Sequence, residues 1–155
     1  MQRFLTRTAV YILLEKDKKI LMFKRKNTNW YDGFYNPPSG HIDGHETLRQ
    51  AAVREVKEEV GVDVNIEDLE FVQMANRLSE SDDGYYEYTE AYFKTKKWQG
   101  EPFMSEEELG EDMGWFALDN LPENTLPYIL DAIKSMLNGN YYCESNWNKN
   151  EKTKN

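Results

Sequence analysis

Residues 40–62 read GHIDGHETLRQAAVREVKEEVGV, and this stretch decides the fold. Gly40 is followed at fixed intervals by Glu46, Arg54-Glu55, Glu58-Glu59 and Gly61-Val62. Thr47 is a good helix N-cap, and Gln50 three residues later completes a capping box, in which side chains at both ends satisfy backbone N–H groups left free by the first turn. From Leu48 to Val60 there is neither Gly nor Pro, and the Ala, Glu, Arg and Lys residues favour helix. Gly61 stands where a left-handed C-terminal cap is expected. The spacing predicts a loop over 40–46 feeding a helix over 48–60.

At about 100° per residue, Glu55, Glu58 and Glu59 share one side of that helix within about 100° of arc. Ala52, Val53, Val56 and Val60 cover the opposite side and are expected to face the core. Three carboxylates on one stripe repel each other, and Arg54 and Lys57 offset only part of the charge. A hard divalent cation held by oxygens, Mg²⁺ or Mn²⁺, removes the conflict. Glutamates alone would be explained by a solvated acidic face. Read from the residues alone, a metal site is the alternative to that face.

Working outward, 8–14 (TAVYILL) is expected to be a buried strand, with a solvated hairpin turn at Lys16–Lys19 before a second strand over 20–26. Further strands are expected over 69–78, 85–94 and 114–118, with a closing helix over 127–137. An acidic loop over 100–110 carries Glu106, Glu107 and Glu108. Strands and two helices in this order predict an α/β protein, a mixed β-sheet packed between helices. Residues 1–140 make one domain, followed by a polar tail over 141–155 that is expected to be disordered from about 149.

The length of 155 residues suits a single domain with a real core. A net charge of −9 argues against a nucleic-acid polymer as partner, since its backbone calls for a basic face. It does not exclude a phosphate-rich small molecule, because a bound cation inverts the local field. The absence of a bilayer-length apolar run and of a leader pattern at Met1-Gln2-Arg3-Phe4 predicts a cytoplasmic protein without membrane attachment. The single Cys143 fits a reducing compartment and is read as an inert thiol. Arg25 and Lys26 are the basic residues expected nearest a polyphosphate. The sequence leaves monomer and homodimer open, with Tyr141, Tyr142 and Trp147 either folding back or meeting a second copy.

Every fixed position of 40–62 matches the Nudix box: Gly, five residues, Glu, seven residues, Arg-Glu-aliphatic-any-Glu-Glu-any-Gly-aliphatic. The chain therefore resembles a Nudix hydrolase over roughly residues 5–140. Upstream, Trp30-x-x-Gly33-x-Tyr35-x-x-Pro38-x-Gly40 resembles the usual approach to the box. Downstream, Trp98-x-Gly100-Glu101-Pro102 and Trp115-Phe116 resemble MutT-type members. The resemblance implies an α/β/α sandwich and hydrolysis of a nucleoside diphosphate linked to another group. Carried over by position, it implies metal ligands at Glu58, Glu59 and the Gly40 carbonyl. Glu55 is implied as metal ligand or proton acceptor, oriented by Arg54, with Glu46 fixing the loop. A glutamate of the 100–110 loop, Glu106 or Glu108, is the other candidate base, and Glu108 is taken as the extra metal carboxylate. Arg25, Trp30, Tyr35 and Asn124 are the candidate substrate contacts.

Motifs that mark several other subfamilies are missing. No proline stands where ADP-ribose hydrolases carry one past the box, and the coenzyme A and NADH motifs are absent. Elimination favours a MutT-like nucleoside triphosphate pyrophosphohydrolase releasing monophosphate and pyrophosphate, with an oxidised guanine nucleotide as one such substrate. ADP-ribose or a nucleotide sugar is the alternative. A non-catalytic nucleotide-sensing module is the alternative of another class, disfavoured because all box glutamates are present. An isomerase of the same fold would need a cysteine near the box.

Overall fold

The computed structural model describes residues 4–81 and 84–147. Its elements, in chain order, are β1 (Arg7–Lys16), β2 (Lys19–Arg25), β3 (Tyr35–Asn36), β4 (Ser39–His41), α1 (Leu48–Val60), β5 (Glu70–Ser81), β6 (Gly84–Thr95), β7 (Gly110–Ala117), α2 (Pro127–Leu137) and β8 (Tyr142–Ser145). The sheet runs β3-β2-β1-β6-β5-β8, with β4 also paired to β1 and β7 to β2. The β1–β6 and β5–β8 pairs are parallel and the rest antiparallel, so the sheet is mixed.

β1 shows why TAVYILL carries so little polarity. Successive side chains of a strand point to opposite faces, and both faces here are covered. Val10, Ile12 and Leu14 pack with Ala51, Ala52, Val56 and Val60 of α1. Tyr11 and Leu13 pack with Ile129, Ala132 and Ile133 of α2. Asp17 and Lys18 both have positive φ, as a two-residue hairpin turn that follows the strand twist requires.

α1 has the predicted bounds, with both halves of the capping box formed and Gly61 left-handed at φ 73°. Val53 is only partly buried, the rest of the expected apolar face fully so. α2 also keeps its predicted bounds. Trp98 stacks on Trp115 with ring centroids 5.8 Å apart, joining the two downstream motifs beside the α1 core.

Several expected bounds need correction: the start of the expected 40–46 loop lies in β4, and β5 runs on to Ser81. β7 starts at Gly110, before the predicted 114, because Glu111 and Asp112 pair with Lys24 of β2 at 3.3 and 2.8 Å across a bulge. Local alternation carries no trace of that cross-strand neutralisation. Residues 142–145 of the expected polar tail also differ: they form β8, parallel to β5. Backbone groups at the edge of β5 supply the pairing, so the polar composition of the segment hides it. Trp147 folds back, its Nε1 donating to the Asn76 carbonyl at 3.0 Å, while Tyr141 stays exposed. The disorder expected from 149 lies outside the described residues. Among the described residues, no helix is long and apolar enough to cross a membrane.

Candidate active site

Arg54 is the hub of one end of the molecule. Its Nη2 donates to Glu46 Oε1 at 2.7 Å and to the His41 carbonyl at 3.0 Å. Its Nη1 donates to Glu55 Oε1 at 2.7 Å and to Glu58 Oε2 at 3.1 Å. Glu46 also accepts from the Asp43 N–H at 2.8 Å, which ties the loop to the helix. Arg54 hydrogen bonding, above all, holds the Glu46 carboxyl below its ordinary pKa. The box arginine thus supplies positive charge to the acidic stripe in a fork suited to carboxylates.

Glu59 lies apart from this hub. Its carboxylate is deep beneath a partly exposed residue, and Oε2 accepts from the Ser39 N–H at 2.7 Å. Burial pushes its pKa well above the ordinary glutamate range. Ser39 and Arg25 counter that, while Glu55 and Glu106 add to it. Burial likewise raises Glu55, against the pull of Arg54. Gly40 lies against the Glu55 carboxyl: a Cβ there would come within 2.0 Å of it, so that any larger residue would push this carboxylate aside.

Among the described residues, no three acidic, histidine or cysteine side chains converge tightly enough to enclose an ion. Arg54 holds Glu55 and Glu58 on one side, and Ser39 holds Glu59 on the other. The donor set nonetheless fits a hard divalent cation in chemistry: carboxylate and carbonyl oxygens only, around a buried carboxylate next to two others. A cation is the group whose arrival would relieve the raised pKa of Glu59.

A cavity of about 180 Å³ beside Glu59 is lined by Phe23, Arg25, Thr28, Met104 and Glu106 among others. Glu108, chosen from sequence as the extra carboxylate, is not in its lining; Glu106 is. The turn over 107–109 decides this, because Leu109 and Gly110 N–H both bond back to the Glu106 carbonyl.

Arg25 also lines a second cavity of about 370 Å³ on the α2 side of the sheet, where Ser39 joins it. There Trp30, Tyr86, Tyr88 and Tyr128 meet Arg7, Arg77 and His41. The Arg77 guanidinium is sandwiched between the Tyr88 and Tyr128 rings, 4.2 and 4.1 Å from their centroids. It pairs with Glu90 at 2.7 Å, both side chains almost wholly buried. The Tyr11 hydroxyl lies 3.4 Å from Glu90 Oε1 and 3.3 Å from the Tyr128 hydroxyl. A third cavity of about 400 Å³ continues this cleft through Trp30, Arg77 and Tyr128 towards Tyr85 and Asn146.

The expected substrate contacts separate. Arg25 and Trp30 line the cleft together: Arg25 Nε donates to the Trp30 carbonyl at 3.0 Å, with the guanidinium 5.1 Å from the ring. Tyr35 and Asn124 line none of these cavities. Tyr35 packs edge-on against Phe116 with its hydroxyl 3.5 Å from Asp112. Asn124 Nδ2 donates to the Gly33 carbonyl at 2.6 Å and its own carbonyl accepts from Tyr35 N–H, so it staples the approach loop. Sequence reading missed Arg7, His41, Arg77, Tyr88 and Tyr128. The available signal was the same-face spacing of Arg77 on β5 and of Tyr86 and Tyr88 on β6, unreadable until the strands are in register.

A model of the NUDIX domain matches residues 5–135. The ADP-ribose pyrophosphatase of Methanocaldococcus jannaschii is 44% identical over 61 residues, covering 39% of this chain and 36% of that protein. The NAD-capped RNA hydrolase NudC of Pseudomonas aeruginosa is 28% identical over 117 residues, 74% of this chain and 37% of the relative. The chain thus spans little more than a third of the length of these two relatives. In structure, the MutT NUDIX hydrolase from Burkholderia pseudomallei superimposes with a TM-score of 0.76 at 24% identity, covering 84% of this chain and 98% of the other. That likeness shows the fold: a mixed sheet with two helices, the α/β/α sandwich.

Proposed function

The chain belongs to the Nudix hydrolase family, and from that premise we propose that it hydrolyses a phosphoanhydride bond of a nucleoside triphosphate, giving monophosphate and pyrophosphate. One observation carries this reading: Ser39 and Arg25 each touch both the Glu59 side and the aromatic cleft, so the two ends of one nucleotide can be served at once. Glu58, Glu59 and the Gly40 carbonyl would hold Mg²⁺ or Mn²⁺. When bound, such an ion supplies Lewis acidity that neutralises phosphate oxygens and makes water more acidic. Glu55 accepts the proton of the attacking water, and its burial-raised pKa brings it nearer the neutral range where a base works best. Arg54 orients Glu55, and Glu46 holds the loop that presents Gly40. Arg25 reaches the phosphate chain, and Trp30 with its neighbours takes the nucleoside.

A second reading, ADP-ribose or another nucleoside diphosphate joined to a sugar, is favoured by the length of the cleft, which runs through two adjoining cavities. The test is phosphate release from natural and oxidised triphosphates, ADP-ribose and nucleotide sugars, with Mg²⁺ or Mn²⁺ and with or without added pyrophosphatase. Triphosphate turnover that needs pyrophosphatase for its signal is the expected result. Turnover restricted to ADP-ribose or sugars selects the second reading, and silence on every substrate overturns both.

A further inference from the structure

In a chain of net charge −9, the 370 Å³ cavity is lined by three arginines and a histidine and, among the described residues, by no Asp or Glu. Arg77 is neutralised by Glu90, but Arg7 and Arg25 form no ion pair with the described residues. Arg25 stands at the phosphate end. Arg7 does not, and the sheet register says where it is. On β1, Tyr11 pairs with Ser39, the residue that holds Glu59, whereas Arg7 pairs with Tyr88 four residues away. At about 3.3 Å per residue this is ~13 Å along the strand. From there Arg7 points further off: its guanidinium lies 3.5 Å over the Tyr86 ring, and Nη1 donates to the Tyr88 hydroxyl at 3.1 Å. The ring fixes the plane of a fork that has donors to spare.

We propose that Arg7, laid on Tyr86 at the far end of the cleft, binds a second anion of the substrate, a phosphate carried on the side of the nucleoside remote from the scissile anhydride. The substrate class is then a nucleotide with an additional 2′- or 3′-phosphate or an equivalent distal anion. This deepens the assignment of the cleft to the nucleoside end and rests on it. A distal anion exchanges part of its hydration for a planar, pre-positioned cation, and a charge-assisted pair of this kind is the sort of contact that separates two otherwise identical ligands.

The experiment is calorimetric binding in metal-free buffer with EDTA, so that it reads the cleft without hydrolysis. The probes are the 5′-monophosphates, 2′,5′-bisphosphates and 3′,5′-bisphosphates of adenosine, guanosine, cytidine and uridine. For at least one base, a bisphosphate is expected to bind about tenfold or more tightly than the monophosphate. Arg7→Gln is expected to bring that ratio to within about twofold, and Arg7→Lys, which keeps charge but loses the fork, to an intermediate value. If Arg7→Gln does not fold, Arg7→Lys decides alone. Equal affinities throughout in the wild type, or a preference that survives in both variants, overturns the proposal. Loss of hydrolysis on every substrate with the bisphosphate preference intact would overturn the proposed reaction and leave the anion site standing.

Discussion

The two ends of the cleft solve opposite electrostatic problems. At the box end, one cation, Arg54, is shared among Glu46, Glu55 and Glu58, and Glu59 is left buried among like charges. At the aromatic end, cations predominate and a single buried acid, Glu90, answers one of three arginines. The first end is short of positive charge, as a site for a divalent ion would be. The second has positive charge to spare, as a site for an anionic ligand would have. A nucleotide with its metal is the kind of molecule that supplies both.

Glu59→Gln probes the acidic end hardest. Even partners one step removed from a metal ligand cost about 10–100-fold, so turnover should fall by more than about a hundredfold with the fold intact. Steady-state kinetics beside a melting curve checks this, and a near-normal rate would remove Glu59 from the site. At the other end, Arg77→Met leaves Glu90 buried without its partner and should destabilise the protein by about 3–5 kcal/mol in urea unfolding. If Arg77→Met costs less than Arg54→Met, the picture of one buried pair and one half-open hub is wrong.

Smaller effects sharpen the contrast. Glu106→Gln is expected to lower activity about tenfold by removing the carboxylate beside Glu59. Glu108→Gln should be neutral; comparable losses in both would restore Glu108 to the site. Thr47→Ala removes the N-cap of α1 and should cost about 1 kcal/mol, measurable by the same unfolding assay.

The weakest effect is on pH. Folded-state pKa values of Glu59 and Glu55 are raised, so their contribution to stability is fully present below the ordinary glutamate value near 4.3. It is lost as pH rises through the raised values. In metal-free buffer, Glu59→Gln should therefore gain stability relative to wild type as pH rises from about 4. A difference that stays flat with pH would show that the Glu59 carboxylate is not desolvated.

The sequence by itself determined what is local. The capping box of Thr47 and Gln50, the glycine cap at Gly61, the shared face of Glu55, Glu58 and Glu59, and the bounds of α2 all follow from interactions within a few residues. The buried strand β1 was legible because both of its faces are apolar. Tertiary structure alone decided the rest. It brought Glu106 rather than Glu108 to the cavity beside Glu59 through a turn, recruited Tyr142–Ser145 to the sheet edge, and bonded Asn124 to the loop before Tyr35. It also built the cationic cleft from β1, β2, the loop carrying Trp30, β4, β5, β6 and α2, whose residues lie far apart in sequence. Helical spacing encodes neighbours three or four residues away. Strand register brings residues some 80 positions apart into contact, and no window of the sequence carries that.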